Sequence, residues 1–175
     1  MSYEHSFDRQ TWGRQDHSHK EAYRFSASFE GWLLHRRDKE RKGKERIGFS
    51  LTTLDGNKST LASVKIKSPY RVGKYSVDVD SFERVGVESI RKAMLKKQLI
   101  IIDEIGKMEL FSKKFRELVI QALNTGHVIA TIKKGITGYV DEIKSRKDVR
   151  LLEVDYQNRD ALLSEITKMV ANLAD

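Results

Sequence analysis

From residue 47 onward, apolar and polar positions follow one another in a readable order. Ile47, Phe49 and Leu51 alternate through residues 47–54, Asp55-Gly56 follows, and residues 59–66 alternate in part. Both Asp and Gly tolerate positive φ, so this order predicts a β-hairpin across residues 47–66. Residues 69–80, which open on the chain's single proline, predict a loop. Across residues 81–97, Phe82, Val85, Ile90, Ala93 and Met94 recur at roughly helical spacing, and the segment ends in lysines suited to a helix C-terminus. Residues 99–102, Leu-Ile-Ile-Ile, are apolar on both faces, as a central parallel strand would be.

The alternation then repeats. Residues 110–123 carry Phe111, Phe115, Leu118, Val119 and Ala122 on one helical stripe. Residues 127–132 predict a strand, 139–146 a short helix, 149–154 a strand and 158–173 an amphipathic terminal helix. Strands alternating with helices imply crossover units, hence an α/β fold with a mainly parallel sheet flanked by helices.

The first 46 residues obey none of this. Residues 2–46 contain no Val and no Ile, and Leu33 and Leu34 are their only strongly aliphatic side chains. Such a segment is expected to add neither a strand nor an amphipathic helix to a core. It holds both tryptophans and four of the five histidines. His17 and His19 have the spacing of two metal ligands on a strand, but no third ligand accompanies them. The basic run Arg41-Lys42-Gly43-Lys44 reads as a solvated linker.

Composition narrows the classes. The 175 residues include no cysteine, which excludes a disulfide scaffold, a zinc knuckle and a cysteine nucleophile. No apolar run approaches the ~20 residues of a membrane span, and residues 1–7 have no signal core, so a cytoplasmic protein that does not engage membranes is expected. With 33 basic and 25 acidic residues the net charge is +8. That balance suits nucleic acid, yet charges of both signs are interspersed, so solvated helix faces are the simpler reading.

Chemistry concentrates after the apolar strand. Ile100-Ile101-Ile102 runs directly into Asp103-Glu104, and ligands of open α/β sheets collect beyond the carboxyl ends of strands. One acid at such a place can hold Mg²⁺, and its neighbour can orient or deprotonate a water attacking a γ-phosphate. Acids that merely face solvent would give the same short pattern.

The longer string is more specific. Residues 100–112, Ile-Ile-Ile-Asp-Glu-Ile-Gly-Lys-Met-Glu-Leu-Phe-Ser, closely resemble the Walker B strand and following loop of the P-loop nucleoside-triphosphatase family that includes a human cancer-related nucleoside-triphosphatase. The resemblance extends over residues 46–160: Arg46-Ile47-Gly48-Phe49 looks like that family's second strand, Arg71-Val72-Gly73 with Tyr75 like its central loop, and Asn158-Arg159-Asp160 like its C-terminal element. It implies hydrolysis of ATP, GTP and other nucleoside triphosphates to diphosphate and phosphate with Mg²⁺. The implied nucleotide site runs through Ile100, Ile101, Ile102, Asp103, Glu104, Ile105, Gly106 and Lys107. In it Asp103 is the Mg²⁺ acid, Glu104 the catalytic base and Lys107 a counter-charge to phosphate. Arg159 could reach base or phosphate, although a helix cap at Asn158 beside an exposed arginine is the simpler reading.

A P-loop enzyme also needs G-x-x-x-x-G-K-[ST] after its first strand, where backbone N–H groups cradle the phosphates. No such string occurs. Codons read one nucleotide later supply it: those consistent with residues 9–21 can encode G-R-P-G-V-G-K-T-T-L-I-K-K. Residues 3–9 can give M-N-I-L-L-T, and residues 32–40 G-F-Y-T-E-E-I-R. The expectation is that residues 2–42 are an out-of-frame translation with a compensating shift before Arg46. The chain then divides into an anomalous, poorly ordered segment 1–45 and an α/β domain 46–175. The alternative is a non-hydrolysing nucleotide- or RNA-binding relative that lacks the phosphate cradle.

Overall fold

Among the residues that the computed structural model describes, 2–5, 36–42, 45–155 and 157–171, nine strands divide between two sheets. They are β1 (Ser2–His5), β2 (Arg36–Lys42), β3 (Glu45–Thr52), β4 (Lys58–Ser63), β5 (Arg71–Val72), β6 (Tyr75–Val77), β7 (Ile100–Ile105), β8 (Val128–Lys133) and β9 (Leu151–Val154). One sheet has the order β7-β8-β1-β9 and is parallel throughout; the other, β2-β3-β4-β6-β5, is antiparallel. The helices are α1 (Val79–Phe82), continued through a π-helical turn (Glu83–Val87) into α2 (Glu88–Leu95), then α3 (Lys113–Leu123), α4 (Tyr139–Lys144) and α5 (Arg159–Ala171).

The parallel sheet follows from the crossovers. Helices α3 and α4 return the chain from β7 to β8 and from β8 to β9, and such returns leave strands running the same way. On α3 Phe115, Leu118, Val119 and Ala122 are buried, as their spacing predicts, and join one core with Ile100, Ile102 and Ile105 of β7 and Val128, Ala130 and Ile132 of β8; the helix starts at Lys113 rather than residue 110, because a 3₁₀ turn and the Ser112 cap precede it, and Phe111 is half-buried outside it. Burial of each large side chain contributes about 1.5–3 kcal/mol.

Three expectations need correction. Residues 2–46 do supply strands: β1 stands between β8 and β9, and β2 pairs along the whole of β3. Strand pairing uses backbone N–H and C=O groups, which any residue but proline offers, so the missing Val and Ile do not forbid it. Charged β2 is the outermost strand of its sheet, where lysine and arginine are ordinary, and Arg41-Lys42 is therefore strand rather than linker. The expected lack of order for the remainder, and the His17-His19 pair, lie outside the described residues. Second, β7 is the end strand of the parallel sheet among the described residues, bonded to β8 and covered by helices instead of flanked by two strands. Third, residues 69–80 hold β5, β6 and the start of α1, elements too short to show any periodicity.

The hairpin forms around Asp55-Gly56, but through a five-residue connection (53–57) closed by Gly56 N to Thr53 O and Thr53 N to Asn57 O rather than a tight turn, and of the pair only Gly56 takes a positive φ, +85°. Helix formation from residue 79 is set by Asp78, whose side chain accepts from Ser81 N at 2.9 Å. Within the π turn, Gly86 lets this helix approach β3: a Cβ there would stand 2.9 Å from Phe82 Cε2 and 3.2 Å from Leu51 Cδ2. Phe82 in turn meets Phe115 edge-on at 5.2 Å, which ties α1 to α3. No helix among the described residues is long and apolar enough to cross a membrane.

Candidate active site

The carboxyl ends of all four parallel strands open on one edge, and β7 is irregular where it reaches that edge. Ile102 faces Ala130 and Ile105 faces Ile132, so three steps on β7 match two on β8. The extra residue falls at Asp103-Glu104. A bulge of this kind re-aims side chains that strict alternation would send to opposite faces. Burial follows: Ile100, Ile102 and Ile105 are buried, whereas Asp103 and Glu104 are consecutive half-buried acids. Of the residues expected to line a nucleotide, Ile100, Ile102 and Ile105 are core side chains, Ile101 is half-buried, Gly106 is buried and Lys107 is exposed.

The loop beyond β7 is closed by its own hydrogen bonds. Leu110 N donates to Gly106 O at 3.1 Å, and a 3₁₀ turn at Glu109–Phe111 brings Ser112 N to Glu109 O at 3.0 Å. Ser112 then caps α3, accepting from Phe115 N at 3.0 Å, while its hydroxyl donates to Glu83 Oε1 at 2.7 Å. Lys114 Nζ lies 2.7 Å from Glu83 Oε2. One carboxylate at the start of the π turn therefore holds both ends of the loop-to-helix junction. Neither Glu83 nor the full burial of Glu109 was evident from sequence. Ser112 did have a signal, since it precedes the apolar stripe of α3 in the position of an N-cap.

Burial pushes the Glu83 carboxyl up, but the hydrogen bonds from Lys114 and Ser112, with the Lys114 charge, outweigh it and hold the group below its ordinary 4.5. A depressed carboxylate pKa stabilises the fold above the unfolded value, and that contribution disappears as pH falls through the folded value. Chemical denaturation of the wild type and Glu83→Gln across acid pH should therefore show a stability gap that is full at neutral pH and closes below 4.5. A gap that stays constant with pH would contradict this role.

Hard carboxylate oxygens at a strand terminus suit Mg²⁺, which is ordinarily held by one or two carboxylates together with substrate phosphates and water. Among the described residues no group of three or more acidic, His or Cys side chains is placed to hold a metal. The exit of β1 lies at the same edge, since His5 pairs with Lys133 and Val154 at the ends of β8 and β9. With β8 between them, β1 and β7 stand two strand spacings apart, about 10 Å. At the start of α5, Asn158 fixes the turn after β9: its side chain donates to Glu153 O and accepts from Asp155 N, both at 2.9 Å, and its carbonyl accepts from Leu162 N at 2.8 Å. The side chain of Arg159 lies outside the described residues.

Comparison with known proteins agrees with this architecture. The sequence pattern of the NTPase family matches residues 35–167. The nucleoside-triphosphatase THEP1 of Thermotoga maritima is 49% identical over 131 residues, covering 74% of this chain and 75% of that one. The human cancer-related nucleoside-triphosphatase is 39% identical over 144 residues, covering 74% and 76%. Among solved structures, THEP1 from Aquifex aeolicus superposes with a TM-score of 0.73 at 31% identity, covering 95% of each chain. The human protein's solution structure superposes with a TM-score of 0.72 at 33% identity, covering 97% of this chain and 96% of that one.

Proposed function

The chain belongs to the NTPase family, and from that premise we propose that its fold hydrolyses ATP, GTP and other nucleoside triphosphates to the diphosphate and phosphate, in the cytoplasm, at the carboxyl edge of the parallel sheet. The observation that carries this reading is the bulge at Asp103-Glu104 near the end of β7, where both acids are half-buried between buried Ile102 and Ile105.

In this proposal Asp103 would hold Mg²⁺, which would supply neutralisation of phosphate charge when bound. Glu104 accepts a hydrogen bond from the attacking water and orients it in line with the bond that breaks. Ile105 and Gly106 form the wall of the crevice, and exposed Lys107 offsets phosphate charge. Positioning and charge neutralisation provide most of the acceleration in such a reaction.

The phosphate cradle is the part that residues 2–42 lack as written. Two observations support the out-of-frame reading. The family match leaves out residues 1–34, although it takes in 35–42 as written, and β1 stands two strands from β7, so the shifted-frame G-R-P-G-V-G-K-T would follow at the edge where Asp103 and Glu104 lie. Phosphate release from Mg-ATP and Mg-GTP tests the proposal on two proteins, one with the written sequence and one from a gene corrected to the shifted frame over residues 3–40. RNA affinity that falls steeply with salt, with no phosphate release from either protein, would instead favour a non-hydrolysing binder that uses the +8 charge.

A further inference from the structure

Beyond the acids, the same loop forms one wall of an adjoining cleft of about 430 Å³, lined by Arg71, Val72, Gly73, Lys107, Leu110 and Phe111, which shares Lys107 with the nucleotide site proposed above. That volume lies within the range of small-molecule sites, which combine an apolar lining with a few convergent polar groups. The two walls come from different parts of the chain: the β5–β6 turn of the antiparallel sheet, and the segment between β7 and α3. They are joined where Tyr70 packs on Phe111, with ring centroids 5.2 Å apart and planes tilted by 42°. Gly73, at φ +58°, turns the chain tightly at the rim, and a Cβ there would meet nothing within 4 Å.

Arg71 and Lys107 converge on this cleft, and among the described residues neither side chain has an acidic partner. Nearby Lys74, by contrast, is neutralised by Glu45 at 2.7 Å. Two like charges brought to one concavity repel unless an anion sits between them. A guanidinium and an ammonium lining one cleft suit a phosphate, the first by paired N–H donors and the second as a point charge. Phe111, backed by Tyr70, gives a planar apolar surface on which a heterocyclic ring can lie.

We propose that this cleft binds a nucleoside monophosphate as a second ligand, its phosphate between Arg71 and Lys107 and its base against Phe111. That it is second to a triphosphate rests on the function proposed above; its chemistry as a site for an anion and a ring does not. Lys107 lies three residues past Glu104, a reach of at most ~10 Å along the chain, so the phosphate end of this ligand sits near the catalytic edge.

Titration of the full chain with AMP and with GMP, read by backbone amide shifts and calorimetry, tests the site without any need for hydrolysis. The expected result is saturable shifts centred on Gly73 and Lys107, with affinity about 10-fold weaker in Arg71→Ala and partly recovered in Arg71→Lys. Arg71 is exposed and contributes its backbone to β5, so these variants should keep the fold, and an unchanged melting temperature checks that. In the frame-corrected chain, saturating Mg²⁺ with a non-hydrolysable triphosphate analogue should leave the monophosphate bound. Shifts absent from Gly73 and Lys107, an Arg71→Ala affinity equal to wild type, inorganic phosphate binding as tightly as AMP, or strict competition with the analogue would each overturn the proposal. A frame-corrected chain that hydrolyses nothing but still binds AMP in this way would count against the triphosphatase reading alone.

Discussion

A chain translated from the frame-corrected gene over residues 3–40 is expected to release phosphate from Mg-ATP at least ~10³ times faster than the chain with the written N-terminus. The reason is the division of labour across the sheet. The carboxyl end of β7 supplies the acids, but the β- and γ-phosphates of a P-loop enzyme are held by backbone N–H groups and a lysine in the turn that follows the first strand. The written residues 6–35 contain no lysine in that pattern, and Trp12-Gly13 stands where the shifted frame reads the Gly that follows its proline. Without the cradle, triphosphate is neither bound tightly nor aligned, and alignment accounts for much of the acceleration. Phosphate release and nucleotide affinity, measured side by side on the two proteins, check this. Equal turnover would mean that the missing string is not what limits the written chain.

In the frame-corrected protein, Glu104→Gln should lower turnover by about 10²–10⁴-fold and leave triphosphate affinity unchanged. The amide has nearly the same shape as the carboxylate but cannot take a proton from water or hold it with the same charge. Because the substitution stays within the bulge between Ile102 and Ile105, the strand pairing that positions it should persist. The distinguishing pattern is a loss in kcat with an unchanged nucleotide Kd, measured by single-turnover phosphate release and by calorimetry. A Gln variant that turns over like its parent would remove Glu104 from the chemistry. A variant that loses binding as well would assign it a structural part.

The sequence was informative wherever side-chain burial imposes a period. The α3 stripe from Phe115 to Ala122, the apolar run of β7 and the turn at Gly56 were all legible because packing or positive φ dictates residue type there. Elements held by backbone pairing were not. β1 and β2 carry no aliphatic signal, and β5 and β6 have two and three residues, too few for any alternation. The acids themselves could be named in advance, but not the bulge that presents them together, because register is a relation between two strands. The same holds for Glu83 and Ser112, which are 29 positions apart and meet only once the π turn packs against α3. The cleft between Gly73 and Lys107 likewise exists only after both sheets are in place.

That the phosphate cradle lies in a neighbouring reading frame is tested most directly by resequencing the source DNA across the codons for residues 1–50. The expected result is a single-nucleotide displacement on each side of the segment without Val or Ile, which restores G-R-P-G-V-G-K-T immediately after the first strand. A DNA sequence that matches the written residues codon for codon would contradict it. The Asp103-Glu104 edge would then belong to a relative that lacks the phosphate-binding half of the proposed site.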